Sequence, residues 1–104
     1  MIIEKPYDVG DVISIKLTSG EEMVCRLEKK GTESLTVKKP MMLVAGADGG
    51  AGLAPFMFTT DPGASYKVQM NNIIVTVKTA KDAADMYIQA TTGLIGAGTS
   101  SLAN

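Results

Sequence analysis

Between Val12 and Leu17 the apolar residues Ile13, Ile15 and Leu17 fall on alternate positions, with Ser14 and Lys16 between them. A period of two predicts a half-buried strand. Turn residues follow at Thr18-Ser19-Gly20-Glu21, and then Met23, Cys25 and Leu27 alternate with Val24, Arg26 and Glu28, which makes a hairpin partner. A second turn at Lys30-Gly31-Thr32-Glu33 leads to a third strand that begins at Ser34 to Val37 and can run through Pro40 to Val44. Proline has no N–H to give to a ladder, so Pro40 marks an edge, a bend or a bulge.

The pattern then weakens. Ala45 to Gly52 is rich in Gly and Ala around Asp48 and predicts a flexible hairpin connection. Phe56, Met57 and Phe58 predict an apolar strand, Asp61-Pro62-Gly63 a turn, and Ser65 to Met70 another short strand. Asn71-Asn72 tolerates a tight turn, and the β-branched run Ile73 to Lys78 is expected to form a closing pair with Ser65 to Met70. Only after this does a helical period appear. Thr79 is the expected N-cap, Asp82 lies in the first turn, and Ala83, Tyr87, Ala90 and Leu94 share a face with Ala84, Ile88 and Thr91 beside it. Gly93 is the expected stop, and Gly96 to Asn104 reads as a frayed tail.

Five or six strands in hairpin order followed by one helix predict a mainly β fold, a small antiparallel barrel with a C-terminal α-helix over about 79–93. The expected organisation is one domain over 1–95 and a tail over 96–104. A length of 104 residues fits one core, burying roughly 60 to 70 % of the unfolded surface.

Composition narrows the chemistry. Ten basic and 11 acidic residues give a net charge of −1, so any polyanion must be held locally. The lone Cys25 leaves no intrachain disulfide and fits a reducing compartment. The opening Met-Ile-Ile-Glu-Lys-Pro lacks the basic and apolar regions of a secretory signal, and no window is apolar for the ~18 residues of a membrane span, so cytoplasmic residence is expected. With no histidine and one cysteine, Ser-His and Cys-His pairs and most zinc sites are excluded. No cofactor and no catalytic activity are expected.

Several clusters nevertheless invite a site. Gly46-Ala47-Asp48-Gly49-Gly50-Ala51-Gly52 resembles a phosphate cradle, but it leads into Leu53-Ala54-Pro55-Phe56 and not into a helix N-terminus. Glu21 with Glu22 and Asp82 with Asp85 are adjacent carboxylates on polar turns or an exposed helix face, where solvation explains them. Lys29-Lys30 and Lys38-Lys39 are basic pairs without an adjacent stacking aromatic. Of the seven methionines, Met23 reads as core, whereas Met41, Met42, Met57 and Met70 near turns and edges suit an oligomer interface at least as well as a peptide groove.

The segment Ile13 to Val37 resembles the first motif of Sm-like (LSm) proteins. It has an alternating strand ending at Leu17, Gly20 in the turn, apolar Met23, small Cys25 and then Leu27. In that family the place of Cys25 is usually glycine, where the strand bends strongly. The order of parts extends the resemblance: a long variable segment from Ala45 to Ser65 between the third and fourth strands, and the short link Asn71-Asn72 before the last.

The resemblance implies a strongly bent, five-stranded SH3-like barrel and a homo-oligomeric ring of about five to seven subunits, closed by pairing the fourth strand with the fifth of a neighbour. It places the interface at Ser65, Tyr66, Val68, Met70, Ile73, Ile74 and Val75, and an RNA-binding rim at Lys29, Lys30, Asn71 and Asn72. Family residues that read RNA are not matched, since Gly31 and Ser34 stand where an Asp and an Asn are usual, and Asn71-Asn72 where Arg-Gly is usual. The helix is also displaced, following the barrel where Sm-like chains carry it in front. Such divergence is similar to that of uncharacterised phage or metagenomic members. Two functions follow as expectations: a ring that binds single-stranded RNA, or a structural scaffold, such as a phage assembly component in the host cytoplasm, that binds none. A weaker third is an enzyme using Asp48 or Asp61 with another carboxylate.

Overall fold

The computed structural model describes residues 6–92. Its elements are strands β1 (Val12–Leu17), β2 (Glu22–Lys30), β3 (Ser34–Ala45), β4 (Ala51–Pro55), β5 (Ser65–Gln69) and β6 (Ile73–Lys78), then helix α1 (Lys81–Thr92). A single 3-10 turn, Met70–Asn72, joins β5 to β6. The expected stop at Gly93, the helix-face residue Leu94 and the tail lie outside the described residues.

The sheet is antiparallel, in the order β4-β3-β2-β1-β6, with β5 pairing the N-terminal part of β3. The first hairpin turns at Gly20, whose φ of 107° lies in the left-handed region and whose N–H reaches the Leu17 carbonyl at 2.9 Å. Alternation in β1 and β2 places Ile13, Ile15, Leu17, Met23, Cys25 and Leu27 on one face, where they meet Leu35 and Val37 of β3. All are buried, and each large side chain there contributes roughly 1.5–3 kcal/mol relative to exposure.

Bends come from unequal residue counts across the β2–β3 ladder. Val24 pairs Met41 and Arg26 pairs Lys38, so Cys25 faces both Lys39 and Pro40; further along, Glu28 has no counterpart between Val37 and Thr36. Such bulges kink a strand and raise its twist. Lys39 has a φ of 49°, unusual for a residue with a Cβ, and Pro40 beside it is buried. Of the edge, bend or bulge that Pro40 could mark, the structure has the bulge, opposite the small Cys25.

α1 covers the other face. Tyr87 packs with Val12 and Val24, and Met41, Leu53, Ala84 and Ile88 close around them. The Tyr87 hydroxyl donates to the Lys39 carbonyl at 2.8 Å and lies 3.2 Å from that of Lys38, while Lys39 Nζ donates to the Thr91 carbonyl at 3.0 Å. The helix is thus fastened to the bulge, where the ladder leaves carbonyls open. Ala90, placed on the inner face by its spacing, is exposed; the docked stripe runs through Ala84, Tyr87, Ile88 and Thr91.

Four expectations are corrected. Thr79 is not the N-cap: it is buried, its hydroxyl pairs with Ser14 Oγ at 2.8 Å, and the first helical carbonyl is that of Ala80. The strand expected at Phe56 to Phe58 lies earlier, at Ala51–Pro55, because β3 continues past Pro40 and its ladder partners run from Ala45 with Ala51 to Met41 with Pro55. The glycine-rich run is only the tip of that hairpin, with Gly46 N–H bonded to the Gly50 carbonyl at 2.6 Å.

Last, the sheet does not close into a barrel. The expected closing pair does not form, for β5 pairs β3 and β6 pairs β1. The Met70 N–H bonded to the Glu33 carbonyl at 2.9 Å holds one end of the 3-10 turn to β3's side, and Thr18 N–H bonded to the Asn72 carbonyl at 2.9 Å holds the other to β1's side. The link carries the chain across the open side and does not fold it back as a hairpin.

Candidate functional site

Two surfaces collect the residues singled out by sequence. The first is the end of the sheet where the β2–β3 turn meets the 3-10 turn. The Met70 to Glu33 hydrogen bond stitches them, and a cleft of about 330 Å³ lies between Thr32, Glu33, Gln69, Met70 and Asn71. Lys29 and Lys30 end β2 and are exposed, but neither lines this cleft. Lys30 Nζ donates to the Tyr7 carbonyl at 2.7 Å and sits 4.6 Å over the centre of the Tyr7 ring. Its charge is engaged by the segment before β1. Asn72 turns to a different hollow, so the four predicted RNA contacts do not share one pocket. Glu33 puts a carboxylate beside the cleft, which disfavours a phosphate there.

The second surface comprises the edges of β5 and β6 that pair with no strand among the described residues. Beside β5 lies an apolar hollow of about 420 Å³, walled by Leu17, Met23, Phe56, Met57, Tyr66 and Val68. β6 presents Ile74, Val75 and Val77 at 63, 48 and 50 % exposure. The interface residues expected from sequence divide here. Tyr66, Val68 and Ile73 pack against the central cluster, while Ser65, Met70, Ile74 and Val75 are exposed. Ser65 Oγ also donates to Glu28 Oε1 at 2.7 Å, and the Tyr66 hydroxyl pairs with that of Thr60. Val77, on the same face of β6 as Val75, is exposed as well.

The carboxylates have local duties. Asp48 and Asp61 each accept a backbone N–H two residues ahead, from Gly50 and Gly63, both at 2.9 Å. Asp85 pairs with Lys81 at 2.9 Å one helical turn away. Ser19 donates to Glu21 and holds that carboxyl below its ordinary range. Burial pushes the Cys25 thiol up from its ordinary 9.0 to about 12, which removes the thiolate a nucleophile would need.

No helix among the described residues is long and apolar enough to cross a membrane. No protein-family model matches the chain, and no curated protein matches it.

Proposed function

We propose that this chain is an Sm-like assembly module whose copies pair edge to edge, β5 of one with β6 of the next, to form a homo-oligomeric ring. One observation carries the reading: an apolar hollow flanks the free edge of β5, and the free edge of β6 presents Ile74, Val75 and Val77 to solvent. Unpaired N–H and C=O rows recruit another strand, and a head-to-tail contact between two different edges closes into a ring when its rotation permits. The order of parts supports the same reading, with a long connection before β5 and a three-residue link before β6.

The favoured role is scaffolding, in the manner of an assembly component. An RNA-binding rim has one observation in its favour, the stitching of the β2–β3 turn to the 3-10 turn beside exposed Lys29. Against it stand the engaged Lys30 and the carboxylate of Glu33.

Light scattering after size exclusion tests the assembly. The wild-type chain is expected as a multimer, and the double variant Ile74→Lys, Val77→Lys, which adds the charges that protect natural edges, is expected to lose the ring. A wild-type monomer refutes the proposal. Polarisation with labelled single-stranded RNA at low salt separates the two roles, since a phosphate-binding rim gives affinity that falls as salt rises, and a scaffold gives none.

A further inference from the structure

Because the sheet does not close, its core is open on one side. The hollow of about 420 Å³ lies there, lined by all five residues of β5, by Leu17 at the end of β1 and by Asn72 of the link. Leu17 and Met23 in its wall are buried members of the central cluster, and Phe56, Tyr66 and Val68 in the same wall pack against that cluster. Apolar walls with a few polar groups, enclosing a volume within the about 300–1,000 Å³ of small-molecule sites, are the usual form of a ligand pocket. The polar groups here include Lys67, Gln69 and Asn72. Lys67 is the one charged residue in the wall, is exposed, and pairs with no carboxylate among the described residues. The cleft beside Glu33 carries the opposite sign.

We propose that this hollow binds a small amphiphilic carboxylate, its apolar chain against Leu17, Met23, Phe56 and Val68 and its head group at Lys67. An apolar chain there completes the core on its uncovered side and is itself removed from water. Charge selects the head group. A purely apolar ligand leaves Lys67 without a counter-charge, and so does β6 of a second copy, since Ile73–Lys78 contains no carboxylate and ends in another lysine. A carboxylate supplies that counter-charge through a charge-assisted hydrogen bond, with the Gln69 and Asn72 amides in the same wall. One lysine matches one carboxylate, whereas a doubly charged phosphate leaves a charge uncompensated. β5 also supplies the proposed ring contact, so ligand and neighbouring copy meet at one edge, but the site itself needs a single copy.

Titration calorimetry with decanoate, below its micellar concentration and at neutral pH, tests the site in three full-length proteins. These are the wild type, the edge variant Ile74→Lys, Val77→Lys, and the edge variant with Lys67→Gln added. Decanol, the same chain without the charge, is the control. Decanoate is expected to bind the edge variant saturably and at least about tenfold more tightly than decanol, the effect of one hydrogen bond to a charged group. Lys67→Gln is expected to abolish that preference and leave decanol binding as it was. Both variants carry the same β6 substitutions, so their difference reads Lys67 alone, and because Lys67 is exposed the fold stays intact, which a thermal melt checks. Equal affinity for decanoate and decanol, or a decanoate affinity unmoved by Lys67→Gln, overturns the proposal. So does the absence of saturable heat in the edge variant, which leaves the hollow to an extended peptide or a neighbouring copy. The ring is read separately, from solution mass. A wild-type monomer that binds decanoate as the edge variant does removes the ring and keeps the site; a wild-type multimer that binds it more weakly keeps both, the neighbour covering the hollow.

Discussion

The two halves of β3 differ in pattern and in fate: Leu35 and Val37 alternate with Ser34, Thr36 and Lys38, whereas Pro40 to Ala45 is apolar throughout. In its first half, Leu35 and Val37 lie under β2 and β5, and Val37 has no exposed surface. In its second half, beyond the bulge, the strand has β4 for company on one edge, and Val44 is 36 % exposed. An apolar period tells which residues share a face; whether that face is covered depends on elements far away in the sequence. The exposed Val75 and Val77 of β6 are what the proposed edge-to-edge contact would cover.

The largest effect expected from breaking this contrast is at Leu27, buried in the central cluster. Leu27→Asp places an unpaired carboxylate there at a cost of several kcal/mol, about the whole stability of a small domain, and the variant should show no cooperative melt. An intact transition would mean that the β2 register is wrong. Within β3 alone, Val37→Ala should cost about 2 kcal/mol by chemical denaturation, while Val44→Ala should stay within about 0.5 kcal/mol. Equal losses would erase the distinction between the two halves.

Tyr87 measures how firmly the helix holds the bulge. Tyr87→Phe keeps the ring against Val12 and Val24 and removes the donor to the Lys39 carbonyl, at a cost of about 1 kcal/mol. A neutral result would show that packing alone docks α1.

The last effect is confined to alkaline pH. The Cys25 thiol is raised above its unfolded value of 9.0, so its contribution is complete below pH 9 and is lost as pH climbs toward about 12. Tyr87 is shifted upward as well, first by burial, and adds to the same decline. Melting temperature followed through that range should fall, and less steeply in Cys25→Ala. A flat profile would place both groups in contact with water.

Much of the fold was legible locally. The first two hairpin turns, the bulge at Pro40, the short β5, the tight link at Asn71-Asn72 and the single helix are each specified by residues close in sequence, through alternation, proline's missing donor and glycine's access to positive φ. The region from Ala45 to Ala64 was read less well. Small residues there satisfy a loop or a strand equally, and only pairing with β3 decides that Ala51–Pro55 is the strand. The candidate surfaces were half legible: Ile74 and Val75 were singled out by the resemblance to Sm-like chains, but nothing local reveals that Lys30 is drawn to Tyr7 or that Phe58 stands bare.

By itself, then, the sequence determined a mainly β chain with one terminal helix, the inner face of β1 and β2, and a chemistry without histidine, because period, turn residues and composition are properties of neighbours along the chain. Only the tertiary structure decided that β5 and β6 part to β3 and β1, leaving one edge of each unpaired among the described residues, and that the helix locks onto the β3 bulge through Tyr87. Those outcomes depend on hydrogen bonds between residues tens of positions apart, Thr18 with Asn72, Glu33 with Met70 and Lys39 with Tyr87, which no local pattern encodes.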